Sequence, residues 1–215
     1  VNVAAIVPAY REESTIGEVV RVLLRSGVFR RVIVVDDGSG DGTAREAVQA
    51  GAEVLRLPRN GGKGQAMRAG LSAVPEADVV AFFDADLLGL RPEHVRRMAA
   101  IAALGYDMVC GVRDYGILNP FHAVVPLITG QRFVRRKVLD AMPPDCWQGY
   151  AVETALNHAA SATKARTVLT VLPGVWSRQK SSKVGLVAGL VGEAKMLATI
   201  GQVQARLDCD GTCKP

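Results

Sequence analysis

The sequence predicts an α/β fold: a mostly parallel, doubly wound sheet flanked by helices, in a single domain. Three observations carry that expectation. Short β-rich runs alternate with helical patterns at intervals of about 15 to 25 residues through the first half. The runs are apolar throughout rather than alternating, as strands covered on both faces must be. And 215 residues with a hydrophobic fraction of 49% are enough to bury one substantial core.

The spacing predicts strands over 3–8, 31–36, 53–57, 79–84 and 108–113. The first helix follows Thr15-Ile16-Gly17-Glu18, which has the form of a capping box, and Ile16, Val19, Val20, Leu23 and Leu24 make its apolar stripe. Further helices are predicted over 43–50, 64–74 and 92–104, the last opening on Pro92 at a first-turn position. After Arg113 the rhythm breaks. Residues 114–129 mix Gly, Asn and two Pro with apolar residues, the composition of an irregular loop over a site. Helices over 135–141 and 151–162 and a strand over 165–172 are expected next. The single domain thus divides into a ligand-binding half at 1–113, a second-substrate half at 114–178, and a C-terminal helix and tail at 179–215.

A net charge of +5 and a pI near 9.2 favour phosphate-bearing ligands or an anionic membrane surface. An aromatic content of 5% argues against a stacking platform for single strands, so no nucleic-acid partner is expected. Cys110 and Cys146 read as small core residues, while Cys209 and Cys213 could pair locally or join a metal site. With no signal-peptide pattern, a cytoplasmic location is expected. Residues 184–201 are mostly apolar but are interrupted by Glu193 and Lys195, and Arg178, Lys180 and Lys183 precede them. Two readings stay open: a helix lying on the inner face of a membrane, with peripheral contact through 179–201, or a helix packed on the domain or used in a homodimer.

Asp84-Ala85-Asp86 closes the apolar run Val79-Val80-Ala81-Phe82-Phe83, which puts two carboxylates at the rim of a sheet, where open α/β folds hold their ligands. Residues two apart on an extended chain face one side, so Asp84 and Asp86 can converge on a hard cation or on ligand hydroxyls. Mg or Mn bridged to a diphosphate would supply the positive partner that two like charges need. The other predicted strand ends carry unusual loops too: Pro8-Ala9-Tyr10-Arg11-Glu12-Glu13, then Asp36-Asp37-Gly38-Ser39 with Asp41-Gly42-Thr43, then Arg59-Asn60-Gly61-Gly62-Lys63-Gly64. The second offers carboxylates to base and ribose edges, and the third offers glycines and cations to a diphosphate. There is no Walker A spacing and no G-x-G-x-x-G after the first strand, which argues against a P-loop enzyme and a dinucleotide oxidoreductase.

Those four motifs, in that order and spacing, resemble family 2 glycosyltransferases of the GT-A fold, which has a Rossmann-like sheet. The N-G-G-K-G element is most similar to that of the polyprenyl (dolichyl) phosphate sugar transferases. The resemblance implies a metal-dependent hexosyltransferase that moves a sugar from a UDP- or GDP-sugar donor to a polyprenyl phosphate with inversion. It places Pro8, Tyr10 and Glu12 in the nucleoside pocket, Asp37 on the base, Asp36 at the buried strand end and Lys63 near the diphosphate. Asp84 would face the ribose or sugar and Asp86 the metal.

On the acceptor side the resemblance makes Glu153 the base or positioning group. Arg132, in Thr129-Gly130-Gln131-Arg132, is the cation expected to reach an acceptor phosphate, ahead of Arg135, Arg136 and Lys137. Relatives carry His-Arg after the last strand; here the stretch is Gly174-Val175-Trp176-Ser177-Arg178, which keeps Arg178 as a substrate contact but offers no His to the metal. His94, His122 and His158 are scattered and read as structural or exposed. Gln148-Gly149-Tyr150-Ala151-Val152-Glu153 also resembles an element of the retaining glucosyl-3-phosphoglycerate synthases, so transfer to a small phosphorylated acceptor is the alternative. A catalytically silent nucleotide-sugar-binding protein is a third reading, which the intact Asp84, Asp86 and Lys63 oppose.

Overall fold

Each face of the central sheet is apolar because each is covered by helices. The computed structural model describes residues 1–113, 129–147 and 152–177. In chain order these form β1 (Val3–Ala9), α1 (Ile16–Arg25), β2 (Arg31–Asp36), α2 (Thr43–Gln49), β3 (Glu53–Arg56), α3 (Lys63–Ser72), β4 (Val79–Phe82), β5 (Leu87–Leu88), α4 (Pro92–Ala103), β6 (Met108–Arg113), β7 (Gln131–Arg135), α5 (Arg136–Asp140), α6 (Val152–Ala162), β8 (Thr167–Leu172) and β9 (Trp176–Ser177). The readings of 114–128 as a loop, of 179–201 as an interfacial or dimer helix, and of Arg178, His122, Cys209 and Cys213 all lie outside the described residues.

The main sheet has seven strands in the order β3-β2-β1-β4-β7-β6-β8. β3, β2, β1 and β4 are parallel, and β7 runs antiparallel to both β4 and β6. Successive residues of a strand point to opposite faces. Ile6, Val35, Val80, Phe82 and Val134 accordingly pack beneath α3, α5 and α6, whereas Val7, Val34, Ala81, Phe83 and Phe133 pack beneath α1, α2 and α4. Both sets are buried, which is why the strands read as continuous apolar runs.

The doubly wound expectation holds for the first five predicted strands and four helices, within a residue or two at most ends. Three local expectations do not, and one small element is added. The capping box at Thr15 does not form: its hydroxyl donates back to Glu12 Oε2 at 3.1 Å instead of accepting from the helix. Leu24 is 41% exposed and Val22 takes its place in the buried stripe. β7 occupies 131–135, where no strand is predicted, and it separates β6 from β4. β5 and β9 form a small ribbon through Leu87 opposite Ser177 and Leu88 opposite Trp176. Two expectations for smaller features do hold. Cys110 and Cys146 are both buried in the core. His94 is structural, its Nδ1 accepting from Arg91 N at 3.2 Å at the start of α4.

The winding sets the site. β1 leads outward through β2 to β3, and the chain then returns to the other side of β1 as β4, so the topological switch point lies between β1 and β4. An aromatic cluster packs in the core on the α1, α2 and α4 face: Phe29 stacks on Phe133 at 5.7 Å, and both meet Phe83 edge-on at 6.2 and 6.1 Å. Phe133 is 1% exposed, and Phe133→Ala should cost about 3–5 kcal/mol in urea unfolding. A loss under about 1 kcal/mol would show that the cluster collapses without it.

Candidate active site

The loops at the carboxyl ends of the parallel strands are stapled to one another by side chains that bond backbone. Arg11, in a left-handed conformation with φ 57°, donates its N–H to Ser39 Oγ at 2.9 Å, and Glu12 N–H donates to Thr43 Oγ1 at 2.8 Å. Asp37 Oδ1 and Oδ2 accept from Gly61 and Gly62 N–H at 2.9 and 2.8 Å. Gly38, at φ +73°, lies so close to Arg59 that a Cβ there would stand 2.7 Å from its carbonyl carbon. The first three loops are thereby one connected rim, as the motifs predict.

At the switch point Lys63, the first residue of α3, bridges two carboxylates. Its Nζ lies 2.6 Å from Asp84 Oδ1 at the end of β4 and 2.6 Å from Glu153 Oε1 in the first turn of α6. Asp84 Oδ2 accepts from Gln131 Nε2 at 2.7 Å. The Lys63 and Asp84 side chains are 19% and 23% exposed and Glu153 is 7% exposed, so the triad is largely desolvated. Burial disfavours charge on both Lys63 and Asp84, but pairing outweighs it. Asp84 and Glu153 hold the Lys63 ammonium above its ordinary range, and Lys63, Arg113 and the Gln131 amide hold the Asp84 carboxyl below the usual carboxylate range. Glu153 Oε2 is buried and has no hydrogen-bond partner among the described residues. A buried carboxylate oxygen without a donor is costly, which marks this position as one that gains by receiving a hydrogen bond.

The other residues singled out by sequence fall into two groups. Pro8 and Glu12 are half-buried on the first loop, and Tyr10 is 39% exposed there with Arg11 over its ring at 5.3 Å. Asp36 is fully buried at its strand end, as expected, accepting from Ser39 N–H at 3.0 Å and pairing with Arg56 at 3.2 Å. Asp86 is half-buried in the turn after β4. Asp37 and Arg132 depart from expectation. Asp37, expected on the base, is 3% exposed and turns both oxygens to the third loop, where it braces the glycines. Arg132, expected to reach a phosphate, is 1% exposed on β7, donating to Thr129 O at 2.8 Å and Asn157 Oδ1 at 2.7 Å. It anchors α6 one turn beyond Glu153. Arg135 and Lys137 lie at the opposite edge of the sheet, paired with Asp107 at 3.7 and 2.8 Å.

Two participants were not singled out in the sequence. Gln131 gives no signal there, being one polar residue in an unrecognised strand. Arg113 was legible as a cation at the end of a strand on the same edge; it influences Asp84 and donates to Ser177 Oγ on the β5–β9 ribbon.

Parallel strands wound about a switch point, with an acid pair and a lysine at a glycine-rich helix start beside it, define a doubly wound α/β fold with a charged site at its switch point. Residues 4–153 match the family model Glycosyl transferase family 2, and the chain belongs to that family, with the GT-A fold. The curated relatives it resembles include glucosyl-3-phosphoglycerate synthase of Mycolicibacterium smegmatis, 36% identical over 45% of this chain and 35% of the relative. Undecaprenyl-phosphate 4-deoxy-4-formamido-L-arabinose transferase of Pseudomonas paraeruginosa is 37% identical over 52% of this chain and 35% of the relative. These matches span about a third of the relatives' own length. Among solved structures, glucosyl-3-phosphoglycerate synthase of Mycobacterium tuberculosis with Mg2+ and uridine diphosphate has a TM-score of 0.71 at 25% identity, covering 89% of this chain and 78% of that one. The same enzyme with Mn2+, UDP-glucose and phosphoglyceric acid has a TM-score of 0.68 at 26% identity, covering 89% and 79%.

Removing the shared cation tests the triad. Lys63→Met leaves two buried carboxylates facing each other and should destabilise the chain by about 3–5 kcal/mol in urea unfolding. Adding Glu153→Gln should restore part of that loss. A single variant as stable as the parent, or a double variant less stable than the single, would contradict the pairing.

Proposed function

We propose that this chain catalyses metal-dependent transfer of a sugar from a nucleotide diphosphate donor, a UDP- or GDP-sugar, to a phosphorylated acceptor. The observation that carries this reading is the Asp84–Lys63–Glu153 triad at the switch point, beside Asp86 and the glycine-rich start of α3. Pro8, Tyr10 and Glu12 would line the nucleoside end, and Asp36 and Asp37 would hold the rim that receives it. Lys63 and the backbone at 61–63 would face the diphosphate. Asp84 would take the ribose or sugar side.

The donor set fits a divalent ion brought in with the diphosphate. No group of three His, Cys, Asp or Glu residues suited to a metal occurs among the described residues, so a closed all-protein cage is not what these residues build. Mg2+ and Mn2+ characteristically use one or two carboxylates together with substrate phosphates and water. Asp84 is bonded to Lys63 and Gln131, and the resemblance of the Asp84-Ala85-Asp86 motif is what assigns Asp86 to the metal. When bound, such an ion neutralises charge that develops on the leaving diphosphate. Glu153 would orient or deprotonate the acceptor, with Oε1 held by Lys63 and Oε2 open to a hydroxyl. Where the acceptor is already a phosphate, orientation alone is required.

Two acceptor classes have separate support. Polyprenyl phosphate is favoured by the N-G-G-K-G element and by the undecaprenyl-phosphate relative, and it goes with inversion. A small phosphorylated acid is favoured by the likeness to the glucosyl-3-phosphoglycerate synthase bound to UDP-glucose and phosphoglyceric acid, and it goes with retention. Arg178 and a membrane contact through 179–201 belong to the first reading. No helix of the described residues is long and apolar enough to cross a membrane.

Calorimetry with UDP and GDP, with and without Mn2+, tests the donor site. Asp86→Ala should abolish the metal-dependent part of the affinity, and Lys63→Ala should weaken diphosphate binding more than nucleoside binding. Normal metal-dependent affinity in Asp86→Ala would refute the assignment. Transfer assays with undecaprenyl phosphate in liposomes and with phosphoglyceric acid in solution separate the acceptors, and no transfer or hydrolysis across a donor panel would reject the enzyme reading.

A further inference from the structure

We propose that Gln131, which β7 brings beside the end of β4, is a positioning residue that fixes the Asp84 carboxylate. This rests on the sugar-transfer reading above.

Gln131 is fully buried at the start of β7, in register with Gly111 of β6. A buried amide must satisfy both ends. The Asp84 carboxylate can only accept, so the NH2 end of Gln131 donates to its Oδ2 at 2.7 Å, while Gln131 Oε1 lies 2.9 Å from the Thr129 hydroxyl, whose one proton it shares with the Gly111 carbonyl. Gly130 supplies the third contact: a Cβ there would stand 2.2 and 2.4 Å from the two Asp84 oxygens, so the carboxylate rests directly on this glycine's backbone. Lys63 holds the other oxygen.

Asp84 is therefore clamped on three sides by residues from α3 and from the segment leading into β7. The chemistry of the clamp is specific. A glutamine stabilises the carboxylate without cancelling its charge, whereas a second cation would neutralise it and a carboxylate would repel it. A clamped Asp84 keeps its oxygens on Lys63 and Gln131, and Asp86 is the residue that the proposed function assigns to the metal. The side chain that the sequence pairs with Asp86 as a metal ligand is thereby given a separate task.

The test compares the full chain with Gln131→Met, which keeps the volume and loses the donor, and with Gly130→Ala, which pushes on Asp84 from the other side. In both, kcat for transfer or donor hydrolysis should fall about 10–100-fold, while donor KM and Mn2+ affinity in the presence of UDP stay within about threefold or tighten. A freed Asp84 can join Asp86 on the metal, so tighter Mn2+ binding with slower turnover supports the clamp. Unchanged kcat in a folded Gln131→Met variant overturns it, as does a parallel loss of turnover and Mn2+ affinity. If the parent chain shows no metal-dependent UDP binding, the transfer reading fails separately. The Gln131 side-chain amide protons then decide the clamp: slow exchange in the parent that is lost in Asp84→Ala supports it, and fast exchange in the parent overturns it.

Discussion

One ammonium group holds the site together. Lys63 lies between Asp84, delivered by the end of β4, and Glu153, delivered by the first turn of α6 ninety residues further along the chain. Without it two buried carboxylates would repel across the crevice, and nothing else described in the structure ties these two positions by charge. The placement is costly in one respect. A cation at the first position of a helix opposes the helix dipole, and the first turn of α3 contains no acidic residue to offset it. Local helix stability would not select Lys63 there, whereas a site that must hold two carboxylates side by side would.

The surrounding rim is built so that its loops are rigid before a ligand arrives. Hydroxyls of Ser39 and Thr43 fix the backbone of the first loop, and Asp37 fixes the backbone of the third. Each staple satisfies a backbone donor that a loop on a sheet edge would otherwise leave to water. Preorganised donors and charges are worth most in a site that pays no reorganisation when charge develops. The same logic explains Arg132: buried beneath α6 and bonded to Asn157, it sets the height of the helix that presents Glu153.

Much of this was legible in the sequence, and the failures have physical causes. Unbroken apolar runs such as Val79-Val80-Ala81-Phe82-Phe83 could belong only to strands covered on both faces, and the strand-end loops could meet only at one edge. β7 was not legible because Gln131 and Arg132 are polar residues buried in a strand, a pattern that periodicity reads as surface. Their burial depends on partners far away in sequence: Asp84 for one, Asn157 for the other. The bracing bonds of Asp37 were not legible for a similar reason, since a carboxylate in a turn reads equally as a ligand contact or as an acceptor for a neighbouring loop's N–H groups. The role of Glu153 was suggested by resemblance, and its link to Lys63, ninety residues away, is visible only in three dimensions.

The central claim is that the crevice at this ion triad is where the nucleotide diphosphate binds. A crystal structure of the chain with UDP and Mn2+ measures it most directly. The account predicts the diphosphate at the start of α3, the ion on Asp86, and Lys63 still within reach of Asp84 and Glu153. A nucleotide bound elsewhere on the chain, or an ion held by neither Asp84 nor Asp86, would contradict it.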